Sequence, residues 1–404
     1  MVSIERKFWY WLSKHWSTII LLASSVISLL SRYYMRGFLS SDMEQCLIPW
    51  YDVIKKQGGL ASLSQPVGNY NVPYQTLIAL FTYIPFKPIY LYKLLSCLFD
   101  WLLAVIIYRI IRQAGLTKLY ASVAYGVALN LPVIAFNSTM WGQCDSIYSF
   151  FCLLALYFLY QNRHTLSFIS FGTAFAFKLQ AIFVLPFFLF VYARNKFEEK
   201  SGDFSLLQFL WIPVMMIVLS LGGISQGMPV SQVFDIYHMQ TITFTAMSVG
   251  YSGFWRFLIQ ADDFVYYLNL FRYGILLTVF VLLLIMVYLL RNQKKWSMTD
   301  FYSNAFLMTY SCVFFLPAMH ERYSYCYIVL GLILCFLDKK IIPAFLALVA
   351  IDLSAYCQYL FPANPSISWR MVSFFNCICY ALSLWYILFN RNRNTEKDEL
   401  SAII

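Results

Sequence analysis

Charge is scarce in this chain. Asp, Glu, Lys and Arg make up 12% of its 404 residues, against 61% hydrophobic ones. No stretch between the apolar runs is polar enough for a soluble domain of any size. Far more apolar surface exists than one water-exposed core could hide, so the whole of 1–404 reads as a single integral membrane domain. Paired cysteine motifs are also missing: the ten cysteines contain no CxxC, Cys377 and Cys379 sit inside an apolar run, and nothing pairs Cys46 with Cys144. The four histidines show neither HxxxH nor HExxH spacing, so no metal site is legible. Neither an internal repeat nor a low-complexity tract is present. A net charge of +10 would point to nucleic acid in a soluble protein. Here the basic residues cluster in short loops, as cytoplasmic retention requires, and nucleic acid is set aside.

What is present is a succession of apolar stretches, most of them close to the roughly 17–25 residues that cross a bilayer as helix. The basic opening, with Arg6, Lys7 and Lys14, is placed in the cytoplasm and lacks a small-residue cleavage site, so the run 16–34 reads as a retained first span. Residues 72–86 are apolar but short. If they crossed, Arg109, Arg112 and Lys118 would fall outside, so 72–86 is expected to be an interfacial helix. The remaining runs alternate as spans near 89–111, 118–136, 146–161, 165–177, 180–193, 204–222, 271–290, 301–318, 323–337, 341–360 and 370–389. The expectation is an all-α polytopic protein of about twelve transmembrane helices, with both termini and the tail 391–404 cytoplasmic. Two outer loops are long, 35–88 and 223–270, and long loops carry function. In the first, Met43, Leu47, Ile48, Trp50, Tyr51 and Ile54 outline the apolar face of a helix expected to lie on the membrane surface.

The few ionisable residues gather at the outer ends of these spans. Asp42 and Glu44 follow the first span. They read either as a solvated helix start capped by Ser40 or Ser41, or as a general base facing a groove. His320, Glu321 and Arg322 sit on an outer turn, either as a hydrated span end or as donors to an anion at headgroup depth. In MWGQCDS, Gln143 is suited to a sugar hydroxyl, while Asp145 reads first as the cap of the next span. Lys178 is a snorkelling anchor or a cation aimed at the same anion. Arg256 is a further candidate cation in the second long loop. Asp100 lies within a span and reads as a packing residue or half of an internal pair.

These pieces resemble the GT-C superfamily of polyprenyl-phosphate-sugar-dependent glycosyltransferases, most nearly bacterial proteins similar to the second mannosyltransferase of GPI-anchor synthesis. GQCDS at 142–146 and HERY at 320–323 carry the likeness, and SDMEQC followed by NVPYQTL in the first loop is similar in order to the dolichyl-phosphate-glucose-dependent members. The resemblance implies that Asp42 is the catalytic base and that His320 and Arg322 form the donor-phosphate turn; Arg256 and Lys178 are further candidate cations for the same phosphate. Glu44, Gln143, Asp145 and Glu321 would then contact substrate. Glu44 does not complete a DxD motif, and the implied member needs neither metal nor cofactor.

On this reading, a hexose passes from a polyprenyl-phosphate donor to a hydroxyl of a cell-envelope glycan or glycolipid. Asp42 deprotonates the acceptor for in-line attack, and the anomeric centre inverts. The alternative class is a transporter or a flippase for lipid-linked sugars. It would be marked by repeats and by charges near the membrane midplane.

Overall fold

The computed structural model describes residues 2–197, 203–244, 246–259, 268–291, 296–362 and 367–390. The expected tail 391–404 lies outside them. The fold is all-α, with 81% of the described residues helical, in helices α1 (Val2–Met35), α2 (Ile48–Lys56), α3 (Val72–Phe81), α4 (Pro88–Gln113), α5 (Lys118–Asn130), α6 (Pro132–Ala135), α7 (Asp145–Tyr160), α8 (His164–Phe177) and α9 (Leu185–Phe197) in the first half. The second half holds α10 (Trp211–Leu219), α11 (Leu221–Ile224), α12 (Val230–Thr243), α13 (Phe254–Leu258), α14 (Leu268–Arg291), α15 (Met298–Phe315), α16 (Tyr325–Leu337), α17 (Ile342–Leu360) and α18 (Trp369–Trp385).

Every stretch expected to span falls on helix. By length and apolar composition, however, five helices among the described residues can cross a membrane: 5–35, 88–113, 270–291, 339–360 and 369–390. A sixth is added if α5 and 132–141, bent by 45°, count as one. The bend has a local cause: Pro132 has no N–H for the helical ladder and holds Leu131 extended at ψ 124°. Among the shorter elements, α7, α8 and α16 have 16, 14 and 13 residues, below the roughly 20 that a lipid-facing span needs. Most of their side chains are buried, so their neighbours are other helices and lipid thickness does not set their length. The faces that lipid would cover lie elsewhere, on α1 (Leu22, Ile27, Leu30), α14 (Leu276, Phe280, Leu284) and α18 (Phe374, Leu382).

Local chemistry fixes the helix starts. Proline occupies the first turn of α2, α3, α4 and α17, where a missing N–H costs nothing. Ser297 and Asp300 close a capping box on α15, each side chain bonded to the other's backbone N–H at 3.1 and 2.8 Å.

The first loop differs from expectation in one respect. Met43, Leu47, Tyr51 and Ile54 do form one face, but that face packs against Tyr74, Ile78, Leu91 and Ile147 and is at most 3% exposed. Protein, not lipid, takes it. A short parallel strand pair, β1 (Ser248–Val249) with β2 (Met319–His320), ties the second loop to the turn between α15 and α16.

Candidate active site

Five helix junctions meet at one end of the bundle, and each delivers one to three polar side chains. Asp42 follows α1, and Trp141, Gln143 and Asp145 precede or open α7. Lys178 occupies the extended break after α8 (φ −157°, ψ 133°). Glu321 and Arg322 lie between α15 and α16, and Tyr359 is in the last turn of α17. Gly142 makes the sharp entry to α7 possible. Its φ is +76°, and a Cβ there would stand 2.5 Å from the Met43 sulfur, so only glycine fits.

Asp42 is held by three donors. Its Oδ1 accepts from the Tyr359 hydroxyl at 2.5 Å, and its Oδ2 accepts from Trp141 Nε1 at 2.8 Å and Gln143 Nε2 at 2.5 Å. The indole N–H can only donate. The Tyr70 hydroxyl donates to Gln143 Oε1 at 2.7 Å, which leaves the amide N–H of Gln143 for Asp42. Trp141 stacks on Tyr359 with ring centroids 4.3 Å apart. The carboxylate is therefore fixed in place while its side chain stays 25% exposed to the cavity in front of it.

Arg322 stands among three acids. Nη1 is 3.4 Å from Glu321 Oε1 and 3.8 Å from Asp42 Oδ2, and Nε is 3.7 Å from Asp145 Oδ2. Asp145 is wholly buried and takes Lys178 Nζ at 2.5 Å and Asn137 Nδ2 at 2.9 Å. This corrects the expectation that it caps α7: the N-cap position is Cys144, with no side-chain cap, and the Asp145 carboxylate turns inward to the two cations.

Glu321 lies against Gly250 (φ +87°), where a Cβ would come within 2.4 Å of Oε2. Burial pushes its carboxyl up to about 7, although the Arg322 charge opposes the rise. Burial, and then the charges of Arg322 and Lys178, hold the His320 imidazole well below its ordinary value, so the ring is neutral at pH 7. His320 packs edge-on to Phe244 at 4.3 Å. Its Nε2 is buried without a hydrogen-bond partner, and so is Arg322 Nε. The residue before this strand, Ala318, has φ +58°, a left-handed conformation that a non-glycine residue adopts only under tertiary constraint.

Two cavities adjoin here. One, about 560 Å³, is lined by Asp42, Trp50, Tyr70, Arg256, Glu321 and Tyr359 among others. The other, about 350 Å³, has Ile182, Phe183, Phe271, Ile275 and Leu316 in one part of its wall and Lys178, Gln180, Gln240 and Thr241 in another. Tyr70, Phe244, His320 and Arg322 border both. The arrangement can hold an anion at the shared wall, an apolar tail on one side and a polar group facing Asp42 on the other.

Of the residues singled out in the sequence, Asp42, Gln143, Asp145, Lys178, His320, Glu321 and Arg322 come together. Arg256 reaches the polar cavity but stacks over Trp369 at 4.8 Å. Glu44 does not join them: it is exposed and does not line the cavity. Asp100 pairs with Arg32 of α1 at 2.8 Å, buried, as an internal ion pair. Tyr359, Trp141, Tyr70 and Asn137 were not foreseen. Aromatics are common at span ends, so Tyr359 carries no signal of its own, whereas Trp141 adjoins GQCDS. Among the described residues no group of three or more His, Cys, Asp or Glu is placed to hold a metal ion.

Compared with known proteins, the chain matches no protein-family model and no curated protein. The likeness to GT-C enzymes rests on its short motifs.

Proposed function

We propose that this chain is an integral membrane glycosyltransferase that moves a hexose from a polyprenyl-phosphate donor to an acceptor hydroxyl, with inversion. Its twelve apolar stretches would all cross, and the Asp42 cluster would lie at the outer face. One observation carries the reading: the buried His320 Nε2 and Arg322 Nε, neither with a hydrogen-bond partner, lie on the wall between the cavity that contains Asp42 and a second one that has Phe271 and Ile275 of α14 in its wall. A lipid-linked sugar phosphate has that order of parts, tail, anion and sugar. Its phosphate would take the two spare donors, one of them charged.

Asp42, oriented by Tyr359, Trp141 and Gln143, would accept the proton of the acceptor hydroxyl as that oxygen attacks the anomeric carbon. The bond to phosphate breaks on the opposite side, and Arg322 offsets the charge developing there. A phosphate leaves without protonation, so one base is enough. The test is incubation of the purified protein with a panel of polyprenyl-phosphate sugars and a glycan or glycolipid acceptor. Release of free lipid phosphate together with an extended acceptor supports the reading, and unchanged donor with every sugar defeats it.

Transport of a lipid-linked sugar is the second reading. Asp352 of α17 is 1% exposed, with an Oδ2 that has no hydrogen-bond partner, the kind of intramembrane acid a transporter uses. Movement of donor across proteoliposomes without hydrolysis or transfer would favour it.

A further inference from the structure

A groove of about 670 Å³ runs between α17 and α18 and shares no lining residue with the two cavities at the active site. Its floor on α17 is small, with Ala344, Ala347 and Ser354 on one face. Its wall on α18 is the stripe Met371, Phe375, Ile378 and Leu382, each 39–55% exposed. From Lys340 to Ser354 the groove follows 14 residues of helix, about 21 Å. An apolar groove of this length accommodates an extended hydrocarbon chain.

One end is chemically distinct. Lys340 lines it and is exposed, and among the described residues it has no ion pair. Asp338, the nearest acid in sequence, accepts from the Lys340 backbone N–H at 3.1 Å and from the Tyr386 hydroxyl at 2.6 Å. Trp385 and Tyr386 line the same end, and such rings settle at headgroup depth. A cation at the level of the aromatic belt, opening onto a chain-sized apolar groove, matches a lipid that carries negative charge.

We propose that this groove is a binding site for an anionic phospholipid, with one tail between α17 and α18 and the phosphate on Lys340. The site stands whether or not the glycosyltransferase reading does.

The test uses the delipidated full-length protein in detergent, with dioleoyl phosphatidylglycerol and dioleoyl phosphatidylcholine as probes. Retained lipid is counted by native mass spectrometry and thermal stability is followed alongside. Phosphatidylglycerol is expected to stay bound at lower concentration than phosphatidylcholine and to raise the melting temperature more. Lys340→Gln, at an exposed position, should weaken phosphatidylglycerol binding about fivefold, the worth of one lysine at an anionic surface, and abolish the preference. Ala347→Phe fills the groove and should remove the retained lipid, while Val279→Phe on the exposed face of α14 should not. Equal retention of the two lipids by the unaltered protein overturns the proposal. So does undiminished retention by Ala347→Phe, or cross-linking of a cysteine at 378 to a second copy.

Discussion

Tyr359 donates its phenolic hydrogen to Asp42, Oη to Oδ1 at 2.5 Å, across 317 positions of sequence. The donor ends α17 and the acceptor follows α1, so one carboxylate joins the first and the seventeenth helices. Tyr359→Phe keeps the stacking on Trp141 and removes one of three donors. Transfer should fall about tenfold, the worth of a hydrogen bond to a charged group. Asp42→Asn should reduce it by roughly 10²–10⁴-fold, because the amide cannot take the acceptor proton. Glu44→Gln should leave turnover unchanged. Full activity in Asp42→Asn would remove the base from the mechanism.

Arg322 lies within 4 Å of three acids, and that changes what its loss does. From the sequence, loss of Arg322 is expected to weaken donor use more than folding. In the fold, Arg322→Ala leaves Asp145 and Glu321 with poorer compensation and should destabilise the protein by about 3–5 kcal/mol as well as abolish transfer. Arg322→Lys keeps the charge but not the planar fork, and should recover most of the stability and little of the activity. Melting temperature and transfer rate measured on both variants separate the two roles.

Lys178 and Asp145 form a buried pair at 2.5 Å. Lys178→Met alone should cost about 3–5 kcal/mol of stability, since it strips a buried carboxylate of its closest cation. Adding Asp145→Asn should return part of that loss. A double-mutant cycle by thermal unfolding gives the coupling, and additive effects would show that the pair does not act as one.

The Glu321 carboxyl, raised to about 7 from its usual 4.5, gives a pH signature. Below 4.5 it is protonated in folded and unfolded chains alike, and its contribution is fully present. Between 4.5 and 7 the unfolded chain releases the proton while the folded one keeps it, so stability falls as pH rises, by on the order of 3 kcal/mol. Glu321→Gln should abolish this component. Subtracting the pH profiles of the two proteins cancels the opposite trend from His320. An unchanged slope would mean that Glu321 is ionised throughout.

If the cluster lies at the outer face, a cysteine at exposed position 44 is modified by a membrane-impermeant thiol reagent from outside, and one at exposed position 118 only from inside. Labelling of 44 from the inner side alone would invert the arrangement.

Hydropathy by itself determined that the chain is helical and membrane-embedded and where nearly every helix falls, because a bilayer core without water forces apolar runs to satisfy their backbone internally. The sequence also marked Asp42, Gln143, Asp145, Lys178 and the HERY turn, since polar groups are conspicuous in so apolar a chain. Length along the sequence could not tell which helices meet lipid: α7, α8 and α16 are apolar because protein encloses them, and the pattern of an enclosed helix is that of a span. Nor could it show that Asp145 turns inward to Lys178 rather than capping α7, that Glu44 points away, or that Tyr359 completes the Asp42 cradle. Those outcomes depend on side-chain directions at junctions up to 317 residues apart. They are settled when burial removes water and each polar group must find its partner within the packed bundle.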